Sequence, residues 1–295
     1  MKNSISFLFL VFISTQGCMA DLRTSLIKEQ GITDANTQKG RELLHQAWIK
    51  QGFATLEKHQ TYSVNAKDSW RGLFGKMGKL WPDAETNINL RYEVASFDGQ
   101  VIFKDGSRAG TLAGLQSWQY YEKEKDDTIT VKDTNQRVVF GLAAYHYFFE
   151  LADRLRKAPL ISYAGVKNFK GRQYNLVYVS WHKPEPDMEH DQYLLYLDPT
   201  TGLLEYAVYT LRESYLKMLG YKAFYGSIHF SDFRSIDNIL IPFQQTIFLN
   251  SPRENENNFV HQLLVSDFTW DDFPACELTP DPTLTKLGDE KISRK

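Results

Sequence analysis

The sequence predicts a mainly β protein with helices (α+β), built on one antiparallel sheet of about 10–11 strands. Two observations indicate this. Apolar residues alternate with a period of two over about residues 60–132 and again over about 172–270, which is typical of half-buried strands. Residues 41–51 and 136–157 instead have the apolar spacing of helices. Aromatic residues make up 14% of the chain, and large rings favour pleated, half-buried surfaces.

The chain begins with the pattern of an export signal. One cationic residue, Lys2, precedes an apolar run over residues 5–13. This run is too short to span a bilayer, which takes about 20 apolar residues, but it has the length of a signal-peptide core. A peptidase that cleaves after Ala20, at the end of an A-x-A-like site, would remove Cys18 together with the peptide.

A second interpretation makes Cys18 the new N-terminus. The stretch Thr15-Gln16-Gly17-Cys18 resembles a bacterial lipobox, in which a small residue precedes a cysteine that becomes lipidated. Gly17 fits this pattern, whereas Thr15 and Gln16 depart from it, because Leu and a small residue are preferred there. We favour lipidation of Cys18, since acyl chains on a thiol give a durable anchor at the expected position.

These signals divide the chain into four parts. We expect residues 1–17 to be a signal peptide, 18–37 a lipid anchor and tether, 38–273 a single folded domain, and 274–295 a loose tail with several prolines and charges. With Cys18 lipidated or removed, Cys276 has no partner, so we expect no internal disulfide. The net charge of −2 gives no electrostatic footprint for nucleic acid.

Two helices are predicted to cover the sheet. The first carries an apolar stripe that includes Leu44, Ala47 and Trp48, and Gly52 is expected to end it. The second region, 136–157, is either one long helix or two short ones. The strands around residues 193–209 carry apolar side chains on both faces, which predicts that part of the sheet is covered on its concave side, its convex side or both.

The segments "SWHKPEPDMEHDQYLLYLDPTTGLLEYAVYTLRE" and "FSDFRSIDNILIPF" resemble those of bacterial envelope lipoproteins with the LolA/LolB lipoprotein-carrier fold. The order of elements is also similar: an N-terminal helix, strands, a mid-chain helical insert and more strands. The resemblance covers about residues 38–272 and consists of strand and turn patterns without catalytic motifs. It implies a curved half-barrel whose helices enclose a hydrophobic cavity.

Catalytic signatures are weak. The sequence contains no nucleophile elbow, zinc-protease motif or P-loop. The cluster "WHKPEPDMEHDQY" at 181–193 has two histidines and several carboxylates, but a solvated hairpin loop explains it equally, and we predict no metal site. The segment "GLFGKMGKLW" at 72–81 is unusually apolar for a loop. It is interpreted as a lid, a membrane-touching patch or a loop packed on the core.

The resulting hypothesis is a membrane-anchored envelope protein that binds a lipid or acyl chain between sheet and helices and catalyses no reaction. The alternative is a scaffolding lipoprotein with a filled core that acts through its surface. We expect an outer-membrane location facing the periplasm, no cofactor and no nucleic acid, and the sequence leaves the identity of any protein partner open. The predicted ligand-binding residues, each of which would otherwise fill a dry core, are Trp48, Tyr145, Phe148, Phe149, Tyr193 and Tyr206.

Overall fold

The computed structural model describes residues 19–126, 128–132, 136–212 and 221–285. Cys18 and the predicted signal peptide lie outside the described residues, so their roles stay predictions. Among the helices that are described, none has both the length and the apolar character that crossing a membrane requires.

Thirteen strands are found in the described residues, against the 10–11 predicted. The strands are Thr61–Trp70 (β1), Glu85–Glu93 (β2), Gly99–Phe103 (β3), Leu112–Gln116 (β4), Gln119–Lys123 (β5), Ile129–Val131 (β6), Leu160–Phe169 (β7), Arg172–Ser180 (β8), Tyr193–Leu197 (β9), Leu204–Thr210 (β10), Tyr225–Ile236 (β11), Ile239–Leu249 (β12) and His261–Trp270 (β13). The α-helices are Ser25–Gln30 (α1), Asp34–Lys50 (α2), Gly72–Gly78 (α3), Gln136–Phe149 (α4) and Leu151–Leu155 (α5).

All thirteen strands form one open, curved antiparallel sheet in the order β6-β5-β4-β3-β2-β1-β13-β12-β11-β10-β9-β8-β7. The first six strands are a meander that runs outward from the centre. The last seven start at the opposite edge and return to the centre, where β13 pairs with β1. The predicted architecture, a curved sheet with a few helices, is therefore confirmed.

The sheet is covered on both faces, which is one of the alternatives that the strand pattern left open. We call the face that carries the larger buried cluster the inner face; it includes Leu44, Tyr62, Leu195 and Tyr209. The outer face carries a smaller cluster of buried residues: Leu22, Ile27, Ala164, Tyr174, Leu176, Tyr178, Tyr196, Tyr206 and Val208. Helices α2 and α4 cover the inner face, and α2 ends where predicted, with Gly52 at a φ of +83°.

The cover of the outer face was not predicted. Residues 18–37 were expected to be an anchor and tether, but the structure has α1 and the first turn of α2 in this segment. Leu22 and Ile27 are buried against β7–β10, and Thr24 Oγ1 donates a hydrogen bond to the carbonyl of Ala164. Apolar burial thus holds most of the segment on the domain. The predicted tail also packs at its start, where Leu278 is fully buried.

Helix α2 lies unusually close to the sheet. A Cβ on Gly40 would lie 2.6 Å from the carbonyl carbon of Ser162 and the amide nitrogen of Tyr163 in β7. Only glycine permits this approach without a shift of the helix. The close packing aligns α2 along β7–β9, whereas α4 approaches β3–β5. The central strands of the inner face are consequently covered by side chains that reach in from both helices.

The β1–β13 seam is closed by a buried polar network around Asp68, which is 1% exposed. Its Oδ1 accepts a hydrogen bond from the Tyr145 hydroxyl at 2.8 Å and lies 2.5 Å from His261 Nε2. Its Oδ2 accepts from Trp70 Nε1 at 2.8 Å. The carboxylate therefore joins β1, β13 and α4 at one point.

We predict that Asp68→Ala lowers the free energy of unfolding by about 3 kcal/mol or more. The substitution removes the acceptor of two buried donors, on Tyr145 and His261, and of the half-buried Trp70 Nε1. Urea unfolding at pH 7 measures the effect. Lys67→Ala is the matched control, because this neighbour on the same strand is 44% exposed and forms only a surface ion pair with Glu85. Equal stability of the two variants would contradict the role assigned to Asp68.

Candidate functional site

The inner face carries a chain of aromatic rings between α4 and strands β9–β11. Phe148 of α4 lies 5.3 Å from Tyr209 and 6.4 Å from Phe230, measured between ring centroids. Tyr209 lies 6.1 Å from Tyr193, which in turn lies 6.1 Å from Tyr147. We call these five residues the aromatic cluster. Tyr147 and Phe148 are only half-buried, so the cluster has an accessible side.

Trp181, which directly follows the last residue of β8, extends the aromatic cluster. Its ring centroid lies 5.8 Å from Tyr193, and its side chain is half-buried. Burial, followed by the neighbouring tyrosine Tyr147, raises the pKa of Tyr193 well above its ordinary value. Burial likewise raises the pKa of Tyr209. Both phenols therefore stay protonated at neutral pH, and the cluster presents an uncharged surface.

The structure brings some of the predicted ligand-binding residues together. Phe148 and Tyr193 both belong to the aromatic cluster. Phe149 and Tyr145 are buried deeper, where Phe149 packs 6.1 Å from Tyr62 and Tyr145 bonds to Asp68. These two side chains belong to the buried core between α4 and the sheet, and neither is open to solvent.

The other two predicted residues lie elsewhere. Trp48 is on the inner side, but at the contact between α2 and α5, where its Nε1 donates to Asp153 Oδ1 at 2.8 Å. Tyr206 is on the outer face, stacked on His229 at 4.2 Å and packed among the tyrosines of that cluster. Tyr206 shares the outer face with Val208, and its cross-strand partner is Tyr196, not Tyr193. It therefore does not face the same space as Tyr193.

A second buried polar network ties α4 and α5 to the loop between β2 and β3. Glu150 Oε1 lies 2.9 Å from His146 Nε2, and Glu150 Oε2 lies 2.9 Å from Arg154 Nη2. Arg154 also donates to the carbonyl of Ser96 at 2.6 Å. All three charged or titratable side chains are at most 3% exposed.

This network sets the ionisation of Glu150. Burial by itself would raise the pKa of the Glu150 carboxyl, but the charges of Arg154 and His146 outweigh it. The pKa of Glu150 is lowered below its ordinary 4.5. The carboxylate is therefore ionised at neutral pH and is matched by partners that solvent does not reach.

In the loop at 181–193, carboxylates accept hydrogen bonds from backbone amides and from a hydroxyl group. The rings of His182 and His190 lie 5.9 Å apart, and Asp187 accepts hydrogen bonds from the backbone amides of Glu189 and His190. Asp191 accepts from the hydroxyl of Thr210. Within the described parts of the chain, no three His, Cys, Asp or Glu side chains are grouped so as to hold a metal ion.

Tyr209 and Trp181 were not among the ligand-binding residues predicted from the sequence, and neither polar network was predicted. Alternation along β10 puts Tyr209 and Tyr206 on opposite faces of the sheet, so only one of them can face α4, and the sequence prediction chose Tyr206. The Glu150 network carries a local signal, because His146, Glu150 and Arg154 are spaced four residues apart. In the other network, Asp68 and His261 are separated by 193 positions. No local pattern indicates such a pairing.

Comparison with known proteins gives a fold but no sequence family. The chain is similar to the crystal structure of a DUF1329 family protein from Desulfovibrio piger, with a TM-score of 0.52 and 14% identity over 82% of this chain and 97% of that one. It is also similar to a LolA superfamily protein from Nitrosomonas europaea, with a TM-score of 0.49 and 11% identity over 81% and 97%. No family model matches, and no curated protein sequence matches either. At these identities the likeness shows the fold alone.

We predict that Glu150→Gln costs about 3 kcal/mol of unfolding free energy at pH 7 and less at acid pH. Because the folded pKa of Glu150 lies below its unfolded value, its contribution is present above pH 4.5 and is lost as the pH falls through the folded pKa. Denaturant unfolding of both proteins from pH 7 to pH 3 gives the difference at each pH.

The matched control for this series is Asp232→Asn, which removes a carboxylate from a surface pair with Arg234. Both side chains are about half exposed, and we expect no measurable change in stability at either end of the pH range. A stability gap for Glu150→Gln that stays constant down to pH 3 would contradict the assigned ionisation.

Proposed function

We propose that this protein is a membrane-anchored lipoprotein of the cell envelope that binds a hydrophobic ligand, a lipid or acyl chain, at the aromatic cluster. It acts as a binding protein and not as an enzyme. The observation that carries the proposal is the half-exposed pair of rings, Tyr147 and Phe148, over the buried phenols of Tyr193 and Tyr209. An apolar chain that enters between α4 and β9–β11 would contact these four rings, none of which carries a charge.

The position of α4 supports ligand entry at this point. Its backbone approaches β3–β5, whereas Phe148 reaches across to β10 and β11. A ligand can therefore displace the Phe148 ring by rotation of one side chain, without separating the helix backbone from the strands that it contacts. Ring faces and edges also suit an acyl chain, because aromatic side chains offer a large apolar area with few rotatable bonds.

The polar networks support binding over catalysis. A general acid or base has to reach a substrate, yet Asp68 and Glu150 are each 1% exposed and engaged by several partners. The two carboxylates accept hydrogen bonds or pair with groups of the protein itself: Tyr145, Trp70, Arg154 and the backbone amide of Ala95. These groups hold the inner face in shape, and the accessible surface that remains is aromatic.

We predict that the protein purified without detergent carries a lipid that native mass spectrometry detects, and that Phe148→Glu lowers its occupancy about tenfold. A carboxylate at this position would have to be desolvated for an acyl chain to bind. Val166→Glu is the matched control, because it adds the same charge at a 53% exposed position on β7. A bare mass for the wild-type protein would favour the scaffolding alternative instead.

Anchoring is tested separately. We predict that cells grown with a radioactive fatty acid label the protein, and that Cys18→Ser abolishes the label and releases the protein from the membrane fraction. Cys276→Ser is the control, since it removes the only other cysteine of the chain. An unlabelled wild-type protein, or a label that survives Cys18→Ser, would disprove the anchor.

A further inference from the structure

Helix α3 exposes its large apolar side chains and buries its glycines. Leu73 is 70% exposed, Phe74 39% and Met77 40%, whereas Gly75 and Gly78 are buried. A Cβ on Gly75 would lie 2.7 Å from the carbonyl oxygen of Val260, just before β13. The glycine side of α3 thus fits closely onto the backbone of the domain. This is the reverse of an ordinary surface helix, which buries its apolar stripe.

The segment that carries the exposed side chains is itself basic, and the acidic residues that follow it, Asp83 and Glu85, interact with Lys79 and Arg71. Residues 71–82 contain Arg71, Lys76 and Lys79 and no acidic residue, although the chain as a whole has a net charge of −2. Arg71 and Lys76 are both exposed. An apolar helix face bordered by cations is the combination that favours the interface of an anionic bilayer, where apolar groups enter the headgroup region and cations attract the lipid phosphates.

Helix α3 and the start of the described chain lie at the same end of the sheet. The Ala20 amide donates to the carbonyl of Lys222 at 2.9 Å, and the ring of Phe74 lies 6.2 Å from that of Phe224. Both contacts fall on one short stretch, 222–224. Cys18 precedes Ala20 by two residues, so a lipid on Cys18 would be attached beside α3.

Part of the aromatic cluster lies at this end of the sheet as well. Tyr193 begins β9, and Tyr209 is next to the last residue of β10. Gln192, immediately before Tyr193, accepts a hydrogen bond from the Leu22 amide through its side chain. The entering chain, α3 and one end of the aromatic cluster are therefore close neighbours.

We propose that α3 is a second membrane contact, in which Leu73, Phe74 and Met77 enter the interface of an anionic bilayer beside the anchor. Two contacts at one end of the domain hold it in a fixed orientation, with the Tyr193 end of the aromatic cluster toward the lipid. Only this orientation rests on the proposed function, because the apolar and basic surface of α3 exists without the anchor. The contact shortens the path of a lipid between the bilayer and the inner face.

The test uses vesicles of phosphatidylethanolamine with phosphatidylglycerol and a chain that begins at Met19. This chain keeps every described helix and strand, and it lacks the apolar run at residues 5–13 that would itself bind lipid. We expect it to co-sediment with these vesicles. Leu73→Ser/Met77→Ser should weaken binding about tenfold or more, and Lys76→Gln should reduce both binding and its sensitivity to salt. Phe74 is left in place because its ring packs near Phe224.

The matched control is Ile49→Ser. Ile49 is 49% exposed near the end of α2, where Gln51 bonds to Leu240 at the opposite end of the sheet. It should bind vesicles as the unsubstituted chain does, and circular dichroism should show the same fold for all variants. Absence of vesicle binding, equal binding by the double variant, or a dimer that depends on Leu73 and Met77 without vesicle binding would each overturn the proposal.

Failure of this inference is distinguishable from failure of the proposed function. If the chain carries lipid in the native mass spectrum and binds no vesicles, the membrane contact at α3 is wrong and the ligand site stands. If it binds vesicles through α3 and carries no lipid, the membrane contact stands and the ligand site is wrong. The double variant should keep its bound lipid, since neither Leu73 nor Met77 belongs to the aromatic cluster.

Discussion

The pairing of β1 with β13 is the constraint on which the rest of the structure depends. Each meander can form from local hairpins, but the two become one sheet only at this seam. Asp68 and His261 meet there across 193 residues of chain, so the loop-closure entropy of the whole domain opposes this step. The buried carboxylate adds α4 to the same junction through Tyr145, which makes the seam and the inner cover cooperative.

The seam also explains why the inner face is wide and aromatic. Helix α2 is held on β7–β9 by the close approach at Gly40, and α4 is held over β3–β5 by the network of Glu150 with Arg154 and Ser96. Neither helix backbone lies over the seam itself. Long side chains have to cross the remaining distance, and rings do so at the lowest cost in side-chain entropy. The aromatic cluster therefore consists of rings from α4 on one side and from β9–β11 on the other.

Local patterns in the sequence predicted the parts of the fold that local physics decides. Alternation predicted the two meanders, and the apolar stripe together with Gly52 predicted α2. Pro242, which has no backbone donor, lies in β12. In the structure β12 is central, yet it pairs with β13 only from Gln244 to Ile247, so Pro242 needs no donor toward that side. Alternation along β10 puts Tyr206 and Tyr209 on opposite faces, as the structure has them, but no local pattern says which of the two faces is the inner one.

The N-terminal segment packs on the domain, although the sequence predicted a tether there. A free tether would leave the domain to rotate about its anchor, but Leu22 and Ile27 fix this segment on the outer face. The chain then leaves the domain at the end that also carries α3 and Tyr193, whereas the tight turn at Asp237 and Asn238 and the contact of Gly52 lie at the other end. A sheet with such different ends has a direction. The exposed apolar side chains of α3 lie at the end where the predicted lipid is attached, and the charged groups of the two polar networks are buried, so the proposed membrane contact and the proposed ligand site share one end of the sheet.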